Sequence, residues 1–151
     1  AFESDRGDWN IMQLHPRDLE AAFFEIDWDA EANPQGRWMP AGGTEWHVAI
    51  STGAVDAITG VSLQSPDPVA LAGKWSHVAG SPVVMDGNVP TVALANATLS
   101  FIPDDDGRGP GLTALTLRAT NAERLHEQAE VRGCRGADGT ITVCGTRFTM
   151  T

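Results

Sequence analysis

The chain has 151 residues, of which 42% are hydrophobic, and this composition suits a single globular domain and excludes a disordered chain. Its formal net charge is −10 and Lys74 is its one lysine, so nucleic acids and anionic membrane surfaces would repel it. No run approaches the roughly 18 apolar residues of a membrane span. Residues 1–8 are charged and do not resemble a secretory signal, so the sequence predicts a cytoplasmic protein.

The first third of the chain predicts strands without a helix. Apolar and polar residues alternate over Trp9–Leu14 and again over residues 21–28, with His15-Pro16-Arg17-Asp18 as the turn between them. Residues 45–51 also alternate, which predicts either a strand or an extended linker.

The middle of the chain predicts one complete unit of strand, helix, strand, strand and strand. Residues 58–64 form an apolar strand, and Ser65-Pro66-Asp67-Pro68 then offers two N-cap residues, each followed by a proline. An apolar stripe continues at helical spacing as far as Gly80. Three short runs with strand character complete the unit, over residues 83–85, 91–94 and 98–102.

The same order begins again after a loop rich in Pro, Gly and Asp at residues 103–111. Residues 112–119 alternate as a strand, and Thr120-Asn121-Ala122-Glu123 fits a capping box that opens a helix ending before Gly133. Two strands follow, over residues 140–144 and 147–151. The chain therefore contains an internal repeat in one compact domain, divided into residues 1–28 (an orphan strand pair), 29–57 (a linker), 58–103 (a full unit) and 112–151 (a shortened unit).

Cys134 and Cys144 are the two cysteines, and they lie on either side of the turn signal Asp138-Gly139. A hairpin at that turn would make a disulfide geometrically possible, whereas a reducing cytosol favours free thiols. Since no CxxC or Cys/His spacing occurs, the sequence excludes structural zinc.

Repeated units of this order resemble the vicinal oxygen chelate superfamily, also called the glyoxalase/bleomycin-resistance/dioxygenase fold. Four segments carry the resemblance, at residues 15–26, 58–75, 96–103 and 144–148. It implies an α+β fold in which repeated βαβββ units form curved mixed sheets, a cup, with two helices on the outside. Residues 1–28 resemble the second half of a unit, so the resemblance also implies a chain truncated at its N-terminus.

In this family the cup commonly holds a divalent metal such as Zn, Ni, Mn or Fe, which polarises substrate oxygens. The resemblance places Glu25 at the family's terminal-strand Glu, where it would serve as metal ligand and catalytic group. His15 and His47 are the further candidate ligands. One carboxylate cannot hold a catalytic metal, because such sites normally need about three protein ligands.

Other family ligand positions depart from the pattern. Gly60 stands where an early-strand His is usual, and a residue near Ser100 stands where a late-strand Glu is usual. The last unit offers Thr149 or Met150 instead of a carboxylate. The metal site is therefore incomplete in this chain, and ligands from upstream residues or a second protomer would have to complete it.

Tryptophans concentrate in the first third of the chain, at Trp9, Trp28, Trp38 and Trp46. They are candidates to line a ligand cup or a dimer seam, and packing in the core is the alternative. The predicted ligand-binding residues are Trp9, Phe23, Trp28 and Trp46.

The main hypothesis is a glyoxalase-like small-molecule-binding protein whose cup is lined by aromatic residues and Glu25. One alternative is a metal-dependent lyase, epimerase or dioxygenase completed from outside the chain. Another is a non-catalytic structural or dimerisation domain. Unpaired strand edges in the first segment predict a homodimer, with strand exchange as one route to it.

Overall fold

The computed structural model describes residues 2–5, 7–38 and 43–151, with backbone alone for residues 2–5. The strands are β1 (Phe2–Asp5), β2 (Trp9–Leu14), β3 (Phe24–Asp29), β4 (Val55–Ser65), β5 (Val83–Asp86), β6 (Val89–Ala93), β7 (Thr98–Pro103), β8 (Gly111–Ala119), β9 (Ile141–Val143) and β10 (Thr146–Met150). The α-helices are α1 (Pro16–Leu19), α2 (Pro68–Ala79) and α3 (Ala122–Val131), and a 3-10 turn spans Trp46–Ala49.

Seven strands form one mixed sheet in the order β5-β6-β7-β4-β8-β10-β9. In each repeat the first strand lies beside the last and parallel to it, β4 beside β7 and β8 beside β10. The two repeats meet where β4 pairs with β8 in the antiparallel sense. This topology confirms the predicted fold class, α+β with repeated units of strand, helix and strands in a mixed sheet.

Helix α2 forms where the sequence supplies both of its ends. The Asp67 side chain accepts a hydrogen bond from the Ala70 amide at 2.9 Å, Pro68 occupies the first turn, and Gly80 ends the helix with φ of 65°. Eight buried side chains from α1, α2, β4, β6 and β7 form the core: Leu19, Leu63, Leu71, Ala72, Trp75, Val92, Leu99 and Phe101. Each large one contributes about 1.5–3 kcal/mol by burial.

Strand register gives the seven-stranded sheet one apolar face and one polar face. On the side that packs against α2, Val92, Leu99, Val61, Leu115 and Phe148 follow one another across five strands. The neighbouring row faces the other way and is mostly polar: Thr91, Ser100, Ser62, Ala114 and Arg147.

The first three strands form a separate antiparallel sheet in the order β1-β2-β3. This sheet is attached to α2 through Trp75, whose Nε1 donates to the Leu19 carbonyl oxygen at 3.1 Å. The Phe24 ring packs edge-on against the Trp75 indole with centroids 5.1 Å apart, and Lys74 pairs with Glu20. The three-stranded sheet and the seven-stranded sheet therefore share one core around Trp75.

Two predicted elements in the first third of the chain differ from the structure. Strand β3 begins at Phe24 rather than at residue 21, because the chain turns at Glu20 (φ of 69°) and packs Ala21 and Ala22 against the core. Residues 45–51 contain the 3-10 turn rather than a strand, since Trp46 and His47 stack on each other with centroids 4.0 Å apart.

The predicted capping box of α3 is also wrong in its first residue. Asn121 is the N-cap, and its side chain accepts from the Arg124 amide at 3.0 Å. The Thr120 hydroxyl instead donates to the Thr52 carbonyl oxygen at 3.1 Å. Gly133 follows the helix with φ of 65°, as its predicted place after the last turn requires.

Cys134 and Cys144 are free thiols. Cys134 lies after α3, where its Sγ contacts the Ala129 carbonyl oxygen at 3.4 Å, and Cys144 lies in the turn between β9 and β10. Within the described residues, no helix is long and apolar enough to cross a membrane.

Candidate functional site: a tryptophan pocket on the three-stranded sheet

An open cavity of about 320 Å³ lies at the edge of the three-stranded sheet, where β3 runs into the following loop. We call it the tryptophan pocket, and its lining residues are Trp9, Asn10, Asp27, Trp28, Asp29, Ala32, Asn33, Pro34, Arg37 and Trp38. The volume is near the lower end of the roughly 300–1,000 Å³ typical of ligand sites, so the pocket suits one small molecule.

The pocket wraps around β3 because β3 is the edge strand. Trp9 pairs with Asp29 in the sheet register, so these two side chains lie on one face together with Asp27. Trp28 alternates to the opposite face. The loop of residues 30–38 folds back over this end of the strand and completes the wall with Trp38.

Local hydrogen bonds fix the pocket loop. The Asn33 side chain accepts from the Gln35 amide at 3.0 Å, and the Gly36 amide donates to the Asn33 carbonyl oxygen at 2.9 Å. A Cβ at position 36 would lie 3.1 Å from that same oxygen and 3.1 Å from Glu31 Oε2, so a side chain there would be crowded. Trp38 exchanges two backbone hydrogen bonds with Gly43, at 2.7 and 2.9 Å.

The 3-10 turn holds the pocket loop through side-chain contacts to the loop backbone. Trp46 Nε1 donates to the Gly36 carbonyl oxygen at 2.6 Å, and His47 Nε2 lies 3.0 Å from the Gln35 carbonyl oxygen. These two predicted site residues therefore position the pocket loop, and neither lines the pocket.

Arg37 is enclosed by carboxylates. Its guanidinium lies 2.8 Å from an oxygen of Asp8, 3.1 Å from one of Asp29 and 3.5 Å from one of Glu31. The hydrogen bond from Arg37 lowers the pKa of Asp8, and the hydrogen bond to Asp8 raises the pKa of Arg37. The positive charge in the pocket wall is thus fully compensated.

Asp27 is the carboxylate of the pocket that no cation neutralises. It has no hydrogen bond or ion pair with any described residue, whereas Glu25, two positions earlier on the same face, accepts from Gln13 Nε2. Partial burial raises the pKa of Asp27, and the negative charge of Glu25 raises it further. The fold therefore holds an uncompensated negative charge beside the indoles.

The seven predicted site residues occupy three different places. Trp9 and Trp28 line the pocket, while Trp46 and His47 support its loop. The remaining three lie outside the pocket: Glu25 on β3, and His15 and Phe23 in the connection between β2 and β3.

His15 caps the four-residue helix α1, where its Nδ1 accepts from the Arg17 amide at 3.0 Å. Phe23 contacts the His15 ring edge-on, with centroids 6.0 Å apart. The pocket residues that the prediction missed include Asp27, Arg37 and Trp38. Trp38 was visible as part of the tryptophan cluster, whereas no sequence signal pairs Arg37 with Asp8.

The side chains do not fit the divalent metal that the resemblance implies. Among the described residues, no group of three or more His, Cys, Asp or Glu side chains could hold a metal ion. At the early-strand position, a Cβ on Gly60 would lie 2.9 Å from Thr116 Oγ1, so the space for a ligand side chain is already taken. The Thr149 hydroxyl lies 3.2 Å from the same oxygen. Hydroxyl groups occupy this stretch of the polar face.

Comparison with known proteins supports the fold and goes no further. No family model matches the sequence, and no curated protein matches it. A hypothetical protein from Staphylococcus aureus superposes with a TM-score of 0.56 at 13% identity, over 99% of this chain. The chain spans about half of that protein, 53% of its length. A methylmalonyl-CoA epimerase from Mycobacterium tuberculosis superposes with a TM-score of 0.44 at 20% identity, over 67% of this chain and 90% of the epimerase.

Proposed function

We propose that this chain is a glyoxalase-like small-molecule-binding protein whose ligand occupies the tryptophan pocket. The observation that carries the proposal is the exposure of two large indoles at one cavity. Trp28 is 52% exposed and Trp38 is 49% exposed, although both are fixed by backbone pairing. A ligand that covered them would recover apolar burial at about 25 cal/mol per Å².

The contacts that hold the pocket loop in place also favour a binding function. Arg37 and the 3-10 turn hold the loop by contacts that reach across 10 to 29 residues of sequence. A loop held from several sides presents its side chains in a preformed arrangement, which lowers the entropy that a ligand must overcome. Binding, rather than catalysis, is the function that these contacts support.

Glu25 remains a prediction as a catalytic group, and His15 and His47 remain predictions as metal ligands. Homodimerisation and a cytoplasmic location are likewise part of the proposal. None of them contributes to the argument for the pocket.

Ligand-observed NMR against a panel of cationic, anionic and neutral organic fragments tests the proposal. We expect at least one class to bind the wild type, and we expect Trp28→Ala and Trp38→Ala to abolish that binding. Phe23→Ala is the matched control, because Phe23 is an exposed aromatic residue just before β3 and outside the pocket. Equal binding to all four proteins, or none to the wild type by any class, would overturn the proposal.

A further inference from the structure

We infer that the tryptophan pocket selects organic cations, with an alkylammonium group that contacts the lining indoles and is attracted by the carboxylate of Asp27. This inference rests on the proposed function and names the chemical class of its ligand.

The first argument is the nature of the walls. Trp9, Trp28 and Trp38 contribute three indoles to a cavity of about 320 Å³. The face of an aromatic ring is negative, and tryptophan attracts a cation over its face more strongly than tyrosine or phenylalanine does. An alkylammonium ion can interact with such walls in two ways. Its methyl groups bury apolar surface, and its charge is attracted by the ring quadrupoles.

The second argument is the balance of charge. Asp27 and Asp29 both line the pocket. Asp8 and Glu31 make ion pairs with Arg37 of the lining. Among the described residues, the one cation of the lining is Arg37, and it is already shared among three of these four carboxylates. A bound anion would therefore meet net negative charge, and a bound cation would give Asp27 the partner it lacks.

The third argument separates a cation from a neutral apolar ligand. A neutral ligand would bury Asp27 further and leave its charge uncompensated, which is unfavourable. Asp27 is already held under conditions that raise its pKa. A cation removes this penalty, so the same cavity favours the charged member of a pair of equal shape.

A matched set of probes tests the inference. Choline carries a trimethylammonium group, 3,3-dimethylbutan-1-ol carries a neutral tert-butyl group of the same shape, and 3,3-dimethylbutanoate is the anionic counterpart. Binding is measured by tryptophan fluorescence and confirmed by ligand-observed NMR at millimolar concentrations. We expect choline to bind about tenfold more tightly than the alcohol, and the anion to bind most weakly.

Two variants assign the effect to the pocket. Asp27→Asn should weaken choline binding about fivefold and leave the neutral alcohol unchanged, and Trp28→Ala should weaken both. Asp86→Asn is the charge-matched control, since Asp86 is exposed on edge strand β5 of the other sheet and its loss should change neither. Added salt should weaken choline binding and not that of the alcohol.

The outcomes separate this inference from the proposed function. If the alcohol or the anion binds as tightly as choline, and Trp28→Ala removes that binding, the cation inference is wrong and the pocket still binds ligands. If Asp27→Asn leaves choline binding unchanged, the inference is also wrong. If Trp28→Ala affects none of the three probes, the proposed function fails with it.

Discussion

The core and the tryptophan pocket of this molecule use their aromatic residues in opposite ways. In the core, Phe101 of β7 is fully buried and packs against Trp75 of α2, which is 5% exposed. At the pocket, Trp28 of β3 and Trp38 of the following loop are 52% and 49% exposed. The same residue type therefore stabilises the fold in the core and is available for a ligand at the pocket, so stability and binding depend on different parts of the chain.

Two carboxylates, Asp106 and Asp27, also differ in whether hydrogen bonds stabilise their charge. Asp106 lies in the loop beside β7 and β8 and accepts hydrogen bonds from Arg108 and from Gln64 Nε2, the latter at 2.6 Å. Asp27 has no such partner among the described residues. The pKa of Asp106 is held well below its usual range, whereas that of Asp27 is raised. One charge is stabilised by folding, and the other is disfavoured by it.

The largest expected effect is in the core of the seven-stranded sheet. Phe101→Ala should lower the free energy of unfolding by about 3–5 kcal/mol, because it leaves a cavity between β7 and Trp75. Denaturant unfolding followed by circular dichroism measures this. Trp28→Ala is the comparison, and its loss should stay within about 1 kcal/mol, since half of that side chain is already in solvent. Equal losses would break the contrast between the core and the pocket.

The next effect tests why position 60 is a glycine. Gly60→Ala should cost about 1–3 kcal/mol, because its Cβ would lie 2.9 Å from Thr116 Oγ1 and 3.0 Å from Thr116 Cβ. Thr116→Gly removes both of those atoms. A double-mutant cycle on unfolding free energies should therefore show positive coupling, with the second change recovering most of the clash. Strict additivity would show that the close approach carries no strain.

The elements of the seven-stranded sheet could be predicted from the sequence because their signals are local. Asp67-Pro68 and Gly80 bound α2, and alternation over residues 98–102 and 112–119 marks two of the strands. Such signals depend only on neighbours in the chain.

The pocket could be predicted only in part, because its geometry comes from contacts between distant residues. Trp9 and Trp28, two of the predicted ligand-binding residues, line this cavity, and their role in binding stays a prediction. Arg37 meets Asp8 across 29 residues, and Trp46 meets Gly36 across 10. No periodicity reports such contacts, so alternation over residues 45–51 predicted a strand or linker where tertiary hydrogen bonds favour a 3-10 turn.

The contribution of Asp106 to stability should depend on pH. Asp106 has a lower pKa in the folded chain than in the unfolded chain, so its contribution is present above about pH 4 and is lost as the pH falls further. Asp106→Asn should lower Tm at neutral pH, and the difference from wild type should shrink below about pH 4. Thermal unfolding at several pH values measures it. A difference that stays constant with pH would contradict the assignment.

The smallest effect should have the opposite sign and belongs to Asp27. Because folding raises the pKa of this carboxyl group, its charged form is disfavoured in the folded chain, and the penalty is present at neutral pH and relieved as the pH falls through the folded pKa. Asp27→Asn should therefore raise Tm slightly at pH 7 and have no effect in acid. Asp86→Asn removes an equal charge from the other sheet, and it shows how much of any rise reflects reduced net charge alone. A fall in Tm for Asp27→Asn would mean that this carboxylate stabilises the fold, and the contrast between Asp27 and Asp106 would be wrong. A rise in Tm together with weaker choline binding would show that Asp27 is kept for a ligand at the expense of stability.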